Sequence, residues 1–171
     1  MSPHELDQAL REQLPSLRRF ARWLARDPHA ADDLVQSALE RAIVGWSQRR
    51  DEAALRPWLF SILYRQFLDG QRRAQRYAGL LARIGLGSAD SQPSAERETL
   101  ARSTLEALQR LPVEQRSLLL WVSVEGLSYQ EVADILEVPI GTVMSRLSRA
   151  RQALRRLSDG ETATAPLRLL K

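Results

Sequence analysis

Residues 128–157 have the sequence SYQEVADILEVPIGTVMSRLSRARQALRRL, which contains the signals for two helices and a tight turn between them. Ser128, followed three residues later by Glu131, forms a capping box that predicts the start of the first helix. Residues 137–139 end this helix, because Pro139 lacks an amide donor and disfavours helical geometry at the preceding residue. We therefore predict that a second helix follows Pro139 and extends to Leu157.

The second helix has one apolar side and one polar side. Its apolar residues recur at helical spacing and are predicted to face the core: Val143, Leu147, Ala150 and Leu154. The opposite side combines hydroxyl, guanidinium and amide groups, from Ser145, Ser148, Arg149, Gln152 and Arg156. This combination is typical of a helix-turn-helix whose second helix enters the major groove of DNA. A helical hairpin with a solvated arginine face is the alternative that the pattern leaves open.

Composition limits the other possibilities. The chain has 171 residues, 44% of them hydrophobic and 27% charged, which is typical of one globular domain or two small ones. It has no cysteine, which excludes disulfides, zinc–thiolate sites and thiol catalysis and fits a reducing cytoplasm. The net charge of +4 and the isoelectric point near 10.3 favour a polyanionic partner.

No segment has the pattern of a leader or a membrane span. The N-terminal residues MSPHELDQALREQL contain no apolar run of signal-peptide length. The longest apolar run, residues 118–122, is far too short to cross a bilayer. We expect neither secretion nor membrane insertion, and therefore a cytoplasmic protein.

The helical pattern extends through the rest of the chain. We predict a helix over residues 5–26, kinked or restarted at Pro15, and a second that begins at Pro28 with Asp27 as its cap. This second helix has an apolar stripe that includes Ile43 and Trp46. Residues 45–54 are predicted to form a loop, and a third helix starts at Leu55. No strand-like alternation or repeat is present, so the predicted class is all-α.

A change of composition divides the chain into two parts. Residues 78–95 include GSADSQPSAE, which is typical of a flexible linker. Helices resume at residues 96–110 and 112–124, and Gly126 ends the last of them before the Ser128 cap. The predicted domains are therefore residues 1–77 and 96–158, joined by the linker 78–95 and followed by a flexible tail, residues 159–171.

Three strings resemble one protein family. Residues 125–151, EGLSYQEVADILEVPIGTVMSRLSRAR, resemble region 4 of bacterial sigma-70-family RNA polymerase sigma factors of the extracytoplasmic-function (ECF) group, usually close to EGLSYEEIAEILGVPVGTVKSRLHRAR. Residues 27–42, DPHAADDLVQSALERA, resemble region 2.2, and residues 57–73, PWLFSILYRQFLDGQRR, resemble region 2.4. The string GTVMSRLSRAR also resembles sigma factors of general-stress type. The resemblance covers most of the chain and keeps the family's order.

The resemblance implies contacts with core RNA polymerase. In the family, region 2.2 binds the clamp coiled coil of the β′ subunit, and the β flap is a further contact. The matching residues here are Asp32, Asp33, Gln36 and Glu40, which fall on neighbouring helical turns. The alternative for Asp32 and Asp33 is that they only favour the positive end of their helix.

The resemblance also implies capture of unpaired minus-10 promoter DNA. The family's loop after region 2.2 receives a flipped base, which needs polar contacts to its edges. The matching residues are Ser47, Gln48, Arg49 and Arg50. Arginines of the third helix are candidates for phosphate contacts: Arg65, Arg72, Arg73 and Arg76. Nearby aromatic residues are more often core than DNA contacts: Trp46, Trp58, Phe60 and Tyr64.

The second domain would bind the duplex minus-35 element through its recognition helix. The candidate residues are Thr142, Met144, Ser145, Arg146, Ser148, Arg149 and Arg151, with Arg146 and Arg151 assigned to phosphates. The chain departs from the family pattern at Arg65, commonly Asn, at Glu137, usually Gly, and at Met144, often Lys or Arg. Met144 removes a charged contact and offers an apolar one for a thymine methyl. At Glu137 a positive φ would cost about 1 kcal/mol without glycine, so the turn is expected to be slightly remodelled.

The sequence therefore indicates a sigma factor that binds core polymerase and promoter DNA and supports transcription initiation, with an anti-sigma factor as its expected regulator. A stand-alone helix-turn-helix regulator would explain residues 128–157 but not the DDLVQ helix. A decoy that titrates an anti-sigma factor would not need arginines on a recognition helix. An enzyme is the least supported class, since His4 and His29 lie in unrelated contexts. No catalytic residue, metal site or cofactor is predicted.

Overall fold

The computed structural model describes residues 3–48, 55–83 and 100–159, which contain seven α-helices and no strand. These helices are α1 (Pro3–Ala25), α2 (Pro28–Gly45), α3 (Leu55–Arg83), α4 (Leu100–Arg110), α5 (Val113–Leu119), α6 (Tyr129–Leu136) and α7 (Ile140–Ser158). A 3-10 turn, Trp46–Gln48, follows α2, and a π-helical turn, Leu120–Val124, follows α5. The predicted all-α class is confirmed.

The described residues form two compact units. The first unit contains α1, α2 and α3, and the second contains α4 to α7. Residues Asp134–Glu137, which comprise the last turn of α6 and the residue after it, group with the first unit. Among the described residues, no helix is long and apolar enough to cross a membrane.

In the first unit, α2 packs against α1 and α3, and α1 also contacts α3. The core between them is aromatic and aliphatic, with Leu17, Phe20, Val35, Leu59, Phe60 and Leu63 all buried. The rings of Phe20 and Phe60 meet edge to face, with centroids 5.3 Å apart. Asp27 caps α2 as predicted, because its Oδ1 accepts a 2.7 Å hydrogen bond from the Ala30 amide.

In the second unit, α4 and α5 both pack against α7. The buried residues at its centre include Leu118, Leu120, Trp121, Val132, Val143 and Leu147. On α7, Val143, Leu147 and Ala150 are buried as predicted, whereas Leu154 is only half-buried. The amphipathic pattern therefore turns the opposite side of α7 away from the core.

Helix α6 starts with the predicted capping box, and the turn after it contains Glu137 in a left-handed conformation. The Ser128 amide donates to Glu131 Oε2 at 2.7 Å, and the Glu131 amide donates to Ser128 Oγ at 3.2 Å, so the capping box is complete. Glu137 has a φ of 56°, and the Val138 amide donates to the Ala133 carbonyl at 3.1 Å. This hydrogen bond, from an amide to the carbonyl five residues earlier, is the one that spans more residues in a Schellman motif. In that motif a residue of left-handed conformation follows the helix.

The structure differs from the sequence expectations in three further places. α1 is one helix through Pro15, since the ring is exposed while Leu10 and Leu17 on either side are buried and keep both halves in register. α3 continues to Arg83, so residues 78–83 are helical rather than part of a linker. Ile43 is not core but 55% exposed, because the buried side of α2 is formed by Ala31, Val35, Ala38 and Ala42.

Several predicted segments lie outside the described residues. They are the loop residues Arg49 to Ala54, the remainder of the linker from residue 84 to residue 95, and the tail from residue 160 onward.

Candidate nucleic-acid and polymerase interfaces

The outward side of α7 carries the side chains predicted to meet duplex DNA. Met144 is 50% exposed, and Ser145, Ser148, Arg149 and Arg151 are exposed, whereas Thr142 and Arg146 are half-buried. At 100° per residue, Ser145, Ser148 and Arg149 point away from the buried side, and Arg146 and Arg151 flank them on opposite edges. The helix thus offers polar groups at its centre and a guanidinium on each edge.

Two of these side chains are held by local hydrogen bonds. Ser145 Oγ donates to the Thr142 carbonyl at 3.0 Å. Arg146 Nη1 donates to Glu114 Oε1 of α5, which fixes the guanidinium beside the recognition helix. Sequence reasoning missed Glu114, because it lies 32 residues before Arg146 and belongs to no recognised motif. An open depression of about 300 Å³ next to the pair is lined by Glu114, Gln115, Leu118, Arg146 and Arg149.

The predicted polymerase-binding residues share the exposed side of α2. Asp32, Asp33, Gln36 and Glu40 are all exposed, opposite the buried alanines and Val35. Gln36 Nε2 donates to Glu40 Oε1 at 3.1 Å, which links two successive turns. The same side continues to Ile43 and to Val44, whose exposed fraction is 81%. Sequence reasoning did not find this apolar extension, because Ile43 was predicted to belong to the core.

Arginines form a stripe along α3. Arg65, Arg72 and Arg76 are exposed and fall at i, i+7 and i+11, and Arg83 continues their line one and a half turns beyond the predicted helix end. The stripe from Arg65 to Arg83 is about 27 Å long. Asp69 lies on the same side, with its Oδ1 3.5 Å from Arg72 Nη1. Arg73 is also exposed, on the neighbouring flank.

The residues before α3 are only partly described. Ser47 is exposed in the 3-10 turn, which also contains Gln48, whereas Arg49 and Arg50 lie outside the described residues. The half-buried rings of Trp46 and Trp58 meet edge to face, with centroids 6.0 Å apart. Phe60 and Tyr64 are buried, so these two aromatics belong to the core.

The described ranges 3–48, 55–83 and 100–159 contain no group of three or more side chains placed to hold a metal ion. The interfaces on α2, α3 and α7 instead consist of charged, hydroxyl and exposed apolar groups on helix surfaces.

Two protein families match separate parts of the chain. The family described as Sigma-70, region 4 matches residues 101–154, and the family described as Sigma2 domain of PhyR matches residues 10–64. The first match includes the capping box, the turn and most of α7, and the second includes all of α2. Together with the two helical units, these matches define a transcription factor of the sigma-70 class.

Relatives match over nearly the whole chain. The ECF RNA polymerase sigma factor SigM of Mycobacterium tuberculosis is 36% identical over 157 residues, which cover 90% of this chain and 77% of the relative. The ECF RNA polymerase sigma factor EcfG of Rhodopseudomonas palustris is 34% identical over 153 residues, which cover 87% of this chain and 84% of the relative. The chain belongs to the ECF RNA polymerase sigma factors. Proteins of this family are transcription initiation factors, and no catalytic family is indicated.

Solved structures have the same fold. The sigma factor RpoE from Bartonella quintana, in complex with the anti-sigma factor NepR, matches with a TM-score of 0.75 and 30% identity, over 92% of this chain and 99% of that chain. CnrH, in complex with the cytosolic domain of CnrY, matches with a TM-score of 0.68 and 23% identity, over 94% of this chain and 92% of that chain. The second similarity is one of fold alone.

Proposed function

We propose that this sigma factor binds core RNA polymerase through α2, holds the minus-10 region through the first unit and binds the minus-35 duplex through α7. The observation that carries the proposal is the outward side of α7, where Ser145, Ser148 and Arg149 are exposed on a helix-turn-helix with a complete capping box. The proposed domains are residues 1–77 and 96–158, with a linker between them and a tail after residue 158.

On α7, the central groups suit base edges and the flanking ones suit phosphates. Arg149 can donate two parallel hydrogen bonds to a guanine, and the hydroxyls of Ser145 and Ser148 can accept or donate. Met144 offers an apolar contact for a thymine methyl, and Thr142 lies at the start of the helix. Arg146 and Arg151 are assigned to the phosphates on either side.

The exposed side of α2 suits a protein partner rather than DNA. Phosphates repel the carboxylates of Asp32, Asp33 and Glu40, whereas a basic protein surface attracts them. Exposed Ile43 and Val44 at the end of the same side add apolar area, which is typical of a binding surface when it adjoins polar groups. We assign this side to the clamp coiled coil of the β′ subunit, with the β flap as a further polymerase contact.

The minus-10 strand is assigned to the segment between α2 and α3 and to the arginines of α3. Ser47, Gln48, Arg49 and Arg50 would surround a base taken out of the stack. Arg65, Arg72, Arg73 and Arg76 would hold the strand's phosphates. The free energy of these contacts would favour strand separation, and polymerase would perform the chemistry without a cofactor on this chain.

Control by an anti-sigma factor is part of the proposal. The RpoE and CnrH structures are complexes, with the anti-sigma factor NepR and with the cytosolic domain of CnrY, respectively. A similar partner would act by covering the surfaces assigned to polymerase, in the cytoplasm where polymerase is found. A role in general stress is proposed from the resemblance of GTVMSRLSRAR to sigma factors of general-stress type.

Run-off transcription tests the proposal directly. Core RNA polymerase is incubated with a promoter library, with and without this protein, and wild type is compared with Asp33→Ala and Arg149→Ala. We expect transcripts only with the protein and fewer with either variant, and the transcript starts identify the promoter. Duplex binding without any initiation or association with core would instead support a stand-alone regulator.

A second candidate function is supported by the match of residues 10–64 to the Sigma2 domain of PhyR. A solved PhyR structure is described as an anti-anti-sigma factor complexed with NepR, and a chain of that kind would bind an anti-sigma factor without promoter DNA. Exposed Ser148, Arg149 and Arg151 on α7 favour the initiation factor. Run-off transcription separates the two, because a decoy supports no transcript.

A further inference from the structure

The second half of α1 carries a basic surface that the proposed function does not use. Arg18, Arg19 and Arg22 are exposed, and with Pro15 and half-buried Trp23 they line an open depression of about 460 Å³. We call these three arginines the α1 arginine face. Between Glu12 and Asp27 the chain has no acidic residue, so this half of the helix contributes no carboxylate to the face. Arg19 Nη2 donates to Ser16 Oγ at 3.4 Å.

The packing of α1 does not account for this face. The helix buries Leu17, Phe20, Ala21 and Leu24 on the opposite side, where it meets α2 and α3. Within the described part of the chain, the side chains of Arg18 and Arg22 make no hydrogen bond or ion pair, whereas the side chain of Arg11 on the preceding turns donates to Asp7 Oδ2 at 2.8 Å. Arg22 in the last turn favours the negative end of the helix, but Arg18 and Arg19 lie further from that end.

The spacing of the three arginines suits contacts with the phosphates of a nucleic acid. Arg18 and Arg22 are one turn apart on the same side, and Arg19 is adjacent to both. Planar guanidinium groups donate paired hydrogen bonds to phosphate oxygens, which favours arginine at phosphate sites. Trp23, one turn after Arg19, adds a partly exposed indole at the edge of the depression.

We propose that the α1 arginine face binds the phosphate backbone of single-stranded nucleic acid, with Trp23 as a stacking platform for a base. Arginines beside an accessible aromatic ring are the combination that binds single strands without sequence preference. An acidic protein surface would satisfy the arginines but would not need the indole. The inference rests on the proposed function for its setting, since the first unit is where a separated promoter strand would be held.

The test measures binding of the full-length protein to fluorescent oligothymidylate of about twenty nucleotides, over a range of salt concentrations. Wild type is compared with the double variant Arg18→Gln/Arg22→Gln. Loss of two phosphate contacts is expected to lower the slope of log affinity against log salt by about 1.4 for a single strand. The charge-matched control is Arg11→Gln/Arg110→Gln, which removes two exposed arginines outside the face and should leave most of the slope unchanged.

Three outcomes overturn the proposal. They are an equal loss in the control variant, no binding by wild type at low salt, and a loss of core polymerase association without any loss of oligonucleotide binding, which would assign the face to an acidic protein. An equal slope change on a random duplex overturns the preference for single strands. Run-off transcription distinguishes failure of this proposal from failure of the proposed function. If wild type supports initiation but does not bind the oligonucleotide, only the proposal for the α1 arginine face is wrong.

Discussion

Glu137 has a backbone conformation that ordinarily favours glycine. Its φ of 56° is in the left-handed region, where a Cβ atom meets the neighbouring carbonyl. The capping box on one side of α6 and Pro139 after it fix both ends of the short helix, so the turn keeps this conformation despite the side chain. Helix-turn-helix geometry at this point is therefore set by the flanking residues.

We predict that Glu137→Gly is about 1 kcal/mol more stable than Glu137→Ala, because glycine adopts positive φ without the Cβ penalty. Both variants remove the carboxylate, so their difference isolates the backbone. Urea unfolding of the full-length protein, followed by circular dichroism, provides the measurement. Equal midpoints would show that the turn is not strained by the Cβ atom.

Glu114 restrains one of the two guanidinium groups that flank the recognition helix. The side chains of Arg146 and Glu114 are 37% and 53% exposed, so solvent screens their ion pair and its contribution to stability is small. Its greater effect is expected in DNA binding, since the carboxylate both competes for Arg146 and repels phosphate.

We predict that Glu114→Gln strengthens nonspecific duplex binding, because the carboxylate no longer competes for Arg146, and steepens the salt dependence by at most about 0.9 in the log–log slope, the value for one complete phosphate contact. Glu106→Gln, which changes an exposed carboxylate on α4, provides the same change of charge outside the Glu114–Arg146 pair. The measurement is fluorescence anisotropy with a random duplex. If the two variants have the same slope, Glu114 does not compete with phosphate for Arg146.

Among the helices, α2 and α7 differ in the charge of their exposed sides, which is negative on α2 and positive on α7. The exposed side of α2 carries carboxylates, followed by Ile43 and Val44 at the C-terminal end of the helix. The exposed side of α7 carries hydroxyl groups between arginines. Each helix buries small or branched apolar residues on its other side, so substitutions on the exposed side are expected to leave the fold unchanged.

We predict that Val44→Asp weakens association with core RNA polymerase by roughly tenfold, because it places a charge in apolar area that binding would desolvate. Val44 is 81% exposed, so the melting temperature should be close to that of wild type. The control is Arg41→Gln, an exposed change on the flank of α2. Unchanged association for Val44→Asp, measured by native gel shift of core polymerase, would remove the apolar end from the interface.

The ends of helices could be predicted where the sequence contains a cap or a breaker. Asp27, the Ser128–Glu131 pair and Pro139 each change local hydrogen bonding, and all three lie where the sequence placed them. The end of α3 could not be predicted, because residues 78–83 contain no proline to mark it and Ala78, Gly79 and Leu80 continue the helix with exposed side chains or backbone. Tyr77 and Leu80 are exposed there, so no core periodicity marks the extension.

The site residues likewise could be predicted where they depend on one helix and could not where they depend on packing between helices. The exposed sides of α2 and α7 could be predicted from spacing within one helix. The Glu114–Arg146 pair could not, because it depends on how α5 packs against α7. Arg83 joins the stripe on α3 only once the helix is known to be continuous, and the α1 arginine face belongs to no motif.

For the whole molecule, two separate cores imply that the chain can be divided. The first unit buries Phe20, Leu59 and Phe60, and the second buries Trp121 and Leu118. Small helical units of this length are often stable alone when they have a core of their own. The division would also separate the surface assigned to polymerase on α2 from the recognition helix α7.

We predict that fragments 1–90 and 91–171 are each helical and each unfold in a cooperative thermal transition, as measured by circular dichroism. Fragment 91–171 should retain duplex binding that Arg149→Ala weakens, because α5, α6 and α7 remain together. Fragment 1–90 should retain association with core polymerase that Asp33→Ala weakens, because α2 remains packed on α1 and α3. If neither fragment folds alone while the full-length protein does, the two cores depend on each other, and the surfaces on α2 and α7 must be studied in the intact chain.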